Sequence, residues 1–214
     1  MKKIAILSFA AAALGVAGLA AHSTAEGVSA DALAKVIASS WKDPNAKNPE
    51  GAKPDWASRL TQDNLQKVCS QTHNQPDKEL AADIQAAAKA SVQYPEDGKL
   101  LGDWKAGEKI AQDGKGQRYN DKVDAPSGGN CYACHQIDKA ELAYGTIGPS
   151  LAEYGKLRDF TEEATKATYE KIFNAHTAIA CSNMPRFGAQ GILTIQQIKD
   201  VTALLMAKDS PVNK

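Results

Sequence analysis

Apolar positions recur along this chain at helical rather than strand spacing. Leu33, Val36 and Ile37 share one side of a segment from Ser29 to Ser39, and Leu65, Val68 and Cys69 share one side of Thr61 to Ser70. Leu80, Ile84, Ala87 and Ala88 stripe a third segment running to Val92, with Pro76 expected in its first turn, where a missing N–H is harmless. Tyr94-Pro-Glu-Asp-Gly98 breaks the pattern. Asp103 can cap a helix over Trp104 to Gln112, which Asp113-Gly-Lys-Gly116 ends. Thr161 to Ala175 carries Tyr169, Ile172 and Phe173 on one stripe. Thr194 and Gln197 then form a capping box ahead of Ile198, Val201, Leu204 and Leu205. Gly107, with no side chain, offers the last helix a crossing point. The stretch from Trp41 to Trp56 holds three prolines among Asn, Lys and Asp, and is expected as a loop or extended wrap. Aromatics are sparse at 6%, and Ala and Lys are abundant, which leans towards helix rather than sheet, so the expected fold class is all-α.

One apolar run is different in kind. Lys2 and Lys3 precede an uncharged run from Ile4 to Ala21, and Ser23-Thr24-Ala25 supplies small residues after it. That is the form of a cleaved secretory signal peptide, residues 1–25. A retained anchor is the alternative, but small alanines and glycines make the run weakly apolar. The 214 residues carry 25 basic and 25 acidic side chains; both lysines of the signal are lost on cleavage, leaving a net charge of −2. Near-neutrality gives no global attraction for nucleic acid or an anionic membrane. At 43% hydrophobic and 23% charged, the chain is neither plainly disordered nor a multi-spanning membrane protein. An exported chain of one domain with an appendage, or two small domains, is expected.

Export places Cys69, Cys131, Cys134 and Cys181 in an oxidising compartment. Cys131-Tyr-Ala-Cys134-His135 is the attachment pattern of a c-type haem. Two thiols at that spacing reach the two vinyl groups on one edge of the porphyrin, and the adjacent histidine meets the iron. A thioredoxin-like dithiol would need a βαβ setting, and a zinc ribbon a second Cys-x-x-Cys pair; the sequence offers neither. For the other axial position the candidates are Met184, Met206, His73 and His176. Met206 sits in the periodic last helix and reads as core, and both histidines read as solvent-facing. Met184 lies in Cys181-Ser-Asn-Met-Pro-Arg-Phe-Gly188, where Pro185 biases it to an extended backbone. His/Met ligation raises the reduction potential. A ligating histidine commonly donates its second ring hydrogen to a nearby acceptor, and the Gly148-Pro149 turn can present the Pro149 carbonyl. Cys69 and Cys181 remain, expected as a disulfide, with separately buried thiols or pairing to another chain as alternatives.

Cys-x-x-Cys-His, Gly148-Pro149-Ser-Leu151, the methionine loop and the final helix together resemble a class I cytochrome c. More narrowly, Tyr94-Pro-Glu-Asp-Gly-Lys, the stretch Gly102 to Gly116, Gly129 to His135, Cys181 to Gly188 and Asp209-Ser-Pro-Val-Asn213 resemble the SoxX family, over about Tyr94 to Asn213. The resemblance implies a cytochrome c domain over 94–214, with 26–93 as an N-terminal extension. It implies a periplasmic subunit with one haem c that pairs with a SoxA-like cytochrome. That SoxAX complex is an L-cysteine S-thiosulfotransferase, oxidatively joining thiosulfate to a cysteine of the SoxYZ carrier. In it the catalytic haem belongs to SoxA, while the SoxX-like chain passes electrons to a soluble cytochrome. A free-standing electron carrier and a haem enzyme such as a peroxidase are the rival readings.

Overall fold

The computed structural model describes residues 29–40, 61–118, 121–122 and 125–214. The signal segment and the proline-rich stretch 41–56 lie outside them. The chain divides into two compact units, residues 1–42 and 43–214. Helix α1 (Ala30–Ser40) belongs to the first. It starts where Ser29 Oγ accepts the Ala32 N–H at 3.2 Å.

Among the described residues, five α-helices follow in the second unit and no strand occurs. Their starts are set by side chains that satisfy the free N–H groups of a first turn. Helix α2 (Asn64–Gln71) opens on a reciprocal box in which Asp63 accepts the Gln66 N–H and Gln66 accepts the Asp63 N–H, each at 2.8 Å. Helix α3 (Lys78–Ala90) begins at Asp77, whose carboxylate accepts the Leu80 N–H at 2.9 Å. Pro76 therefore stands before the cap rather than in the first turn: an acceptor for the free amides sets the start. Helix α4 (Trp104–Gln112) is capped by Asp103, and α5 (Glu162–Phe173) by Thr161. The expected run to Ala175 stops at Phe173, because Asn174 leaves the helical region and caps a short 3₁₀ turn, Ala175–Thr177. Helix α6 (Ile195–Met206) carries the expected Thr194/Gln197 box.

Helices α4 and α6 cross at bare backbone. A Cβ on Gly107 would collide with the Asp200 carbonyl, so only glycine lets the two chains approach this closely. Just before α4, the Gly102 N–H donates to the Lys199 carbonyl at 3.0 Å and the Asp103 N–H to Asp200 Oδ1 at 2.9 Å. The main core gathers Ala111 of α4, Tyr169, Ile172 and Phe173 of α5, and Ile198, Val201, Leu204, Leu205 and Met206 of α6. The free carbonyls at the end of α6 are met by the tail. Ser210 Oγ donates to Leu204 O, and Asn213 Nδ2 to Leu205 O at 3.1 Å and Ala207 O at 2.8 Å. A smaller cluster of Cys69, Ile84 and Cys181, with Leu65, Val68 and Leu80 around it, joins α2 and α3 to the loop after α5.

Candidate functional site

Residues Cys131–Ala133 form a single 3₁₀ turn entered through Asn130 at φ +47°, a left-handed conformation that asparagine tolerates well. The turn is tied back to the α4/α6 crossing. Gly129 N–H donates to Ile110 O at 2.8 Å, Asn130 N–H to Asp113 O at 3.0 Å, and Gln197 Nε2 to Ser127 O at 2.7 Å. Downstream, residues 145–151 run alongside it through three backbone bonds: Gly145 N–H to Tyr132 O, Gly148 N–H to Cys134 O, and Leu151 N–H to Gln136 O, at 2.7–2.8 Å. This places the Pro149 carbonyl 2.7 Å from His135 Nδ1. A carbonyl can only accept, so Nδ1 carries the proton and Nε2 keeps its lone pair. Gly148 packs flat on the same ring, where a Cβ would overlap the imidazole.

Cys131 and Cys134 are free thiols in this turn. Burial, with a smaller contribution from Cys134, pushes the Cys131 thiol up to about 12. A dithiol redox centre needs the opposite shift, toward the thiolate. Among the described residues no three His, Cys, Asp or Glu side chains are grouped to hold a metal ion, so the zinc alternative lacks a ligand set.

The four candidates for the other axial position separate clearly. Met206 is 2% exposed in the core of α6. His73 is exposed in the turn after α2, at φ +51°. His176 is not solvent-facing as expected: it is 5% exposed, beneath α3, and its Nδ1 accepts the Cys181 N–H at 3.2 Å. Burial, then the charge of Arg186, lowers its pKa, so it is held neutral. Met184 is half-buried on its loop and packs on the same core cluster as Cys131, Tyr132 and Leu151.

The loop carrying Met184 is fixed at both ends. Gly188 and Ala189 N–H donate to the Phe173 carbonyl at 2.9 and 3.1 Å. At the other end, Cys181 forms a disulfide with Cys69 of α2, with Cα atoms 5.3 Å apart. Around that bond Gln85 Nε2 donates to Ala178 O at 2.8 Å, Asn74 Nδ2 to Asn183 Oδ1 at 3.4 Å, and Arg186 pairs with Asp63 at 2.5 Å. Sequence reasoning missed this polar seam, since each of its bonds joins residues about 90–120 positions apart. Beside the loop lies a cavity of about 330 Å³ bordered by Gln62, Asn74, His176, Met184 and Arg186.

Residues 105–208 match the family described as Cytochrome c. A protein of Aquifex aeolicus (strain VF5), named an uncharacterized lipoprotein, is 41% identical over 156 residues, covering 72% of this chain and 73% of its own length. The chain belongs to the cytochrome c family. Membership implies a covalently bound haem c and an electron-transfer role, and the residues present fit that group. Two unpaired thiols sit at attachment spacing in a disulfide-bonded chain. Beside them is an imidazole whose Nδ1 is committed to Pro149 and whose Nε2 is left to ligate. Cys131 and Cys134 would hold the porphyrin, and His135 and Met184 the iron. The bound group supplies reversible one-electron chemistry; the protein orients His135, fixes the methionine loop and closes the α4/α6 core behind both.

Proposed function

We propose that this chain is the monohaem, electron-accepting subunit of a SoxAX-type cytochrome, working in the periplasm with His135 and Met184 as axial ligands. The thiosulfotransferase reaction joins a carrier thiol to thiosulfate, releasing one proton and two electrons as the S–S bond forms. A single-haem subunit accepts those electrons one at a time and hands them to a soluble cytochrome. The observation that carries the electron-transfer reading is the pair of free cysteines beside an imidazole already oriented by Pro149. The narrower assignment is supported by the motif sequence Cys181-Ser-Asn-Met-Pro-Arg-Phe-Gly188 and by Asn213 and Ser210 capping α6. Export is supported by the charged and apolar N-terminal pattern, by the disulfide, and by a relative named as a lipoprotein. No helix among the described residues is long and apolar enough to cross a membrane.

The test is native purification of the haem-loaded chain from its own cells, followed by mixing with the co-purifying subunit, thiosulfate and a SoxYZ-type carrier. A stable complex with a second cytochrome, and reduction of this chain's haem only when thiosulfate and carrier are both present, is expected. A chain that purifies alone and stays oxidised in that mixture is a free-standing carrier.

A further inference from the structure

We infer that His176 is the positioning residue of the methionine loop, holding the backbone at Cys181 so that Met184 is presented to the iron. The inference rests on the assignment of Met184 as a ligand. His176 is 5% exposed, and its one hydrogen bond to the loop is Nδ1 accepting the Cys181 N–H at 3.2 Å. Cys181 is a non-glycine residue at φ +56°, a conformation that persists only when its surroundings impose it. Three residues later comes Met184, whose own N–H is met inside the loop by Ser182 Oγ at 3.2 Å.

Packing holds the loop at Cys181, within the small cluster of Cys69 and Ile84, but leaves a gap beside it. His176, Cys181, Met184 and Arg186 all border the same cavity of about 330 Å³, so the loop has room to move on that side. Beyond that packing, its constraints there are directional: the disulfide, the Arg186–Asp63 pair, the Asn74–Asn183 bond and the His176 acceptor. Of these, the histidine alone reaches the Cys181 amide, and its burial beneath α3 fixes where that acceptor stands. A buried amide deprived of its partner keeps the full cost of desolvation, which favours rotation of the Cys181 peptide. Such a rotation propagates directly to Met184.

The test uses the haem-loaded full chain in three forms: wild type, His176→Phe and His176→Asn. Phenylalanine keeps the bulk and removes the acceptor, while asparagine places Oδ1 where Nδ1 stood. In the phenylalanine variant we expect exchange of the Cys181 amide to be faster by about tenfold or more, with loss of the long-wavelength methionine–iron(III) band and a lowered potential. Asparagine is expected to restore all three. A folded phenylalanine variant that matches wild type, or an asparagine variant as disturbed as phenylalanine, overturns the inference. Should phenylalanine prevent folding, the asparagine variant alone decides: wild-type exchange and band support the inference, and their loss overturns it. A wild type lacking the band refutes Met184 as ligand, whereas amide exchange still reads the His176 bond independently.

Discussion

At the scale of single residues, the site works because two side chains have their chemistry chosen by backbone carbonyls and amides. Pro149 fixes the tautomer of His135, and Gly148 leaves room for the ring to lie flat. Gly148→Ala forces a Cβ into the imidazole, so the ring must tilt away from Pro149 or the 145–151 segment must move. Overpacking of this kind costs about 1–3 kcal/mol. A lower thermal midpoint and a perturbed haem spectrum are expected, and a variant identical to wild type in both would refute the close packing. His176 makes the opposite use of its ring, with Nδ1 accepting. Because burial and Arg186 lower its pKa, with Asp63 opposing, neutral imidazole is the form the fold favours. Its contribution is then complete above the ordinary histidine value of about 6.5 and fades as pH falls below it. The methionine–iron band of wild type should weaken on mild acidification, and His176→Asn should remove that part of the pH dependence.

At the scale of elements, the helices were legible where a cap and a stripe coincide. Asp103 and the Thr194/Gln197 box stand in the structure where the pattern put them, because capping involves residues only two or three apart. Errors fell where two local signals competed. Proline at 76 yielded to aspartate at 77, and the Tyr169–Phe173 stripe did not carry α5 past Asn174. The Gly107 crossing was also legible, since a lone glycine in a helix of otherwise good formers costs stability unless a neighbour approaches. Gly107→Leu should drive α4 off the Asp200 carbonyl. A loss of about 2–4 kcal/mol, at or beyond the upper end of ordinary overpacking, is expected because the obstacle is backbone that cannot change rotamer. Denaturant unfolding measures it, and a loss below about 0.5 kcal/mol would mean the helices are not in contact there.

At the scale of the whole molecule, what could be read from sequence divides by distance along the chain. The His135–Pro149 bond spans 14 residues and follows from a short motif. The burial of His176 depends on α3, about 90 residues earlier, and no local pattern announces it. The covalent link is the Cys69–Cys181 bond, which spans 112 residues and joins α2 to the loop of Met184. The same α2–α3 region reaches that loop through Gln85, Asn74 and Asp63, so it acts as a clamp on residues 178–186. Closing so long a loop removes unfolded-state freedom worth about 4–5 kcal/mol on the chain-entropy argument. The core formed by α4, α5 and α6 lies apart from the small cluster around the disulfide. Reduction should therefore release the clamp while the main core still holds. We expect the methionine–iron band to disappear at a lower denaturant concentration in reduced than in oxidised protein, ahead of the loss of helical signal. In Cys69→Ser/Cys181→Ser the same separation should appear without reductant. If band and helix are lost together in all three forms, the clamp does not control the ligand loop, and the disulfide stabilises the fold as a whole.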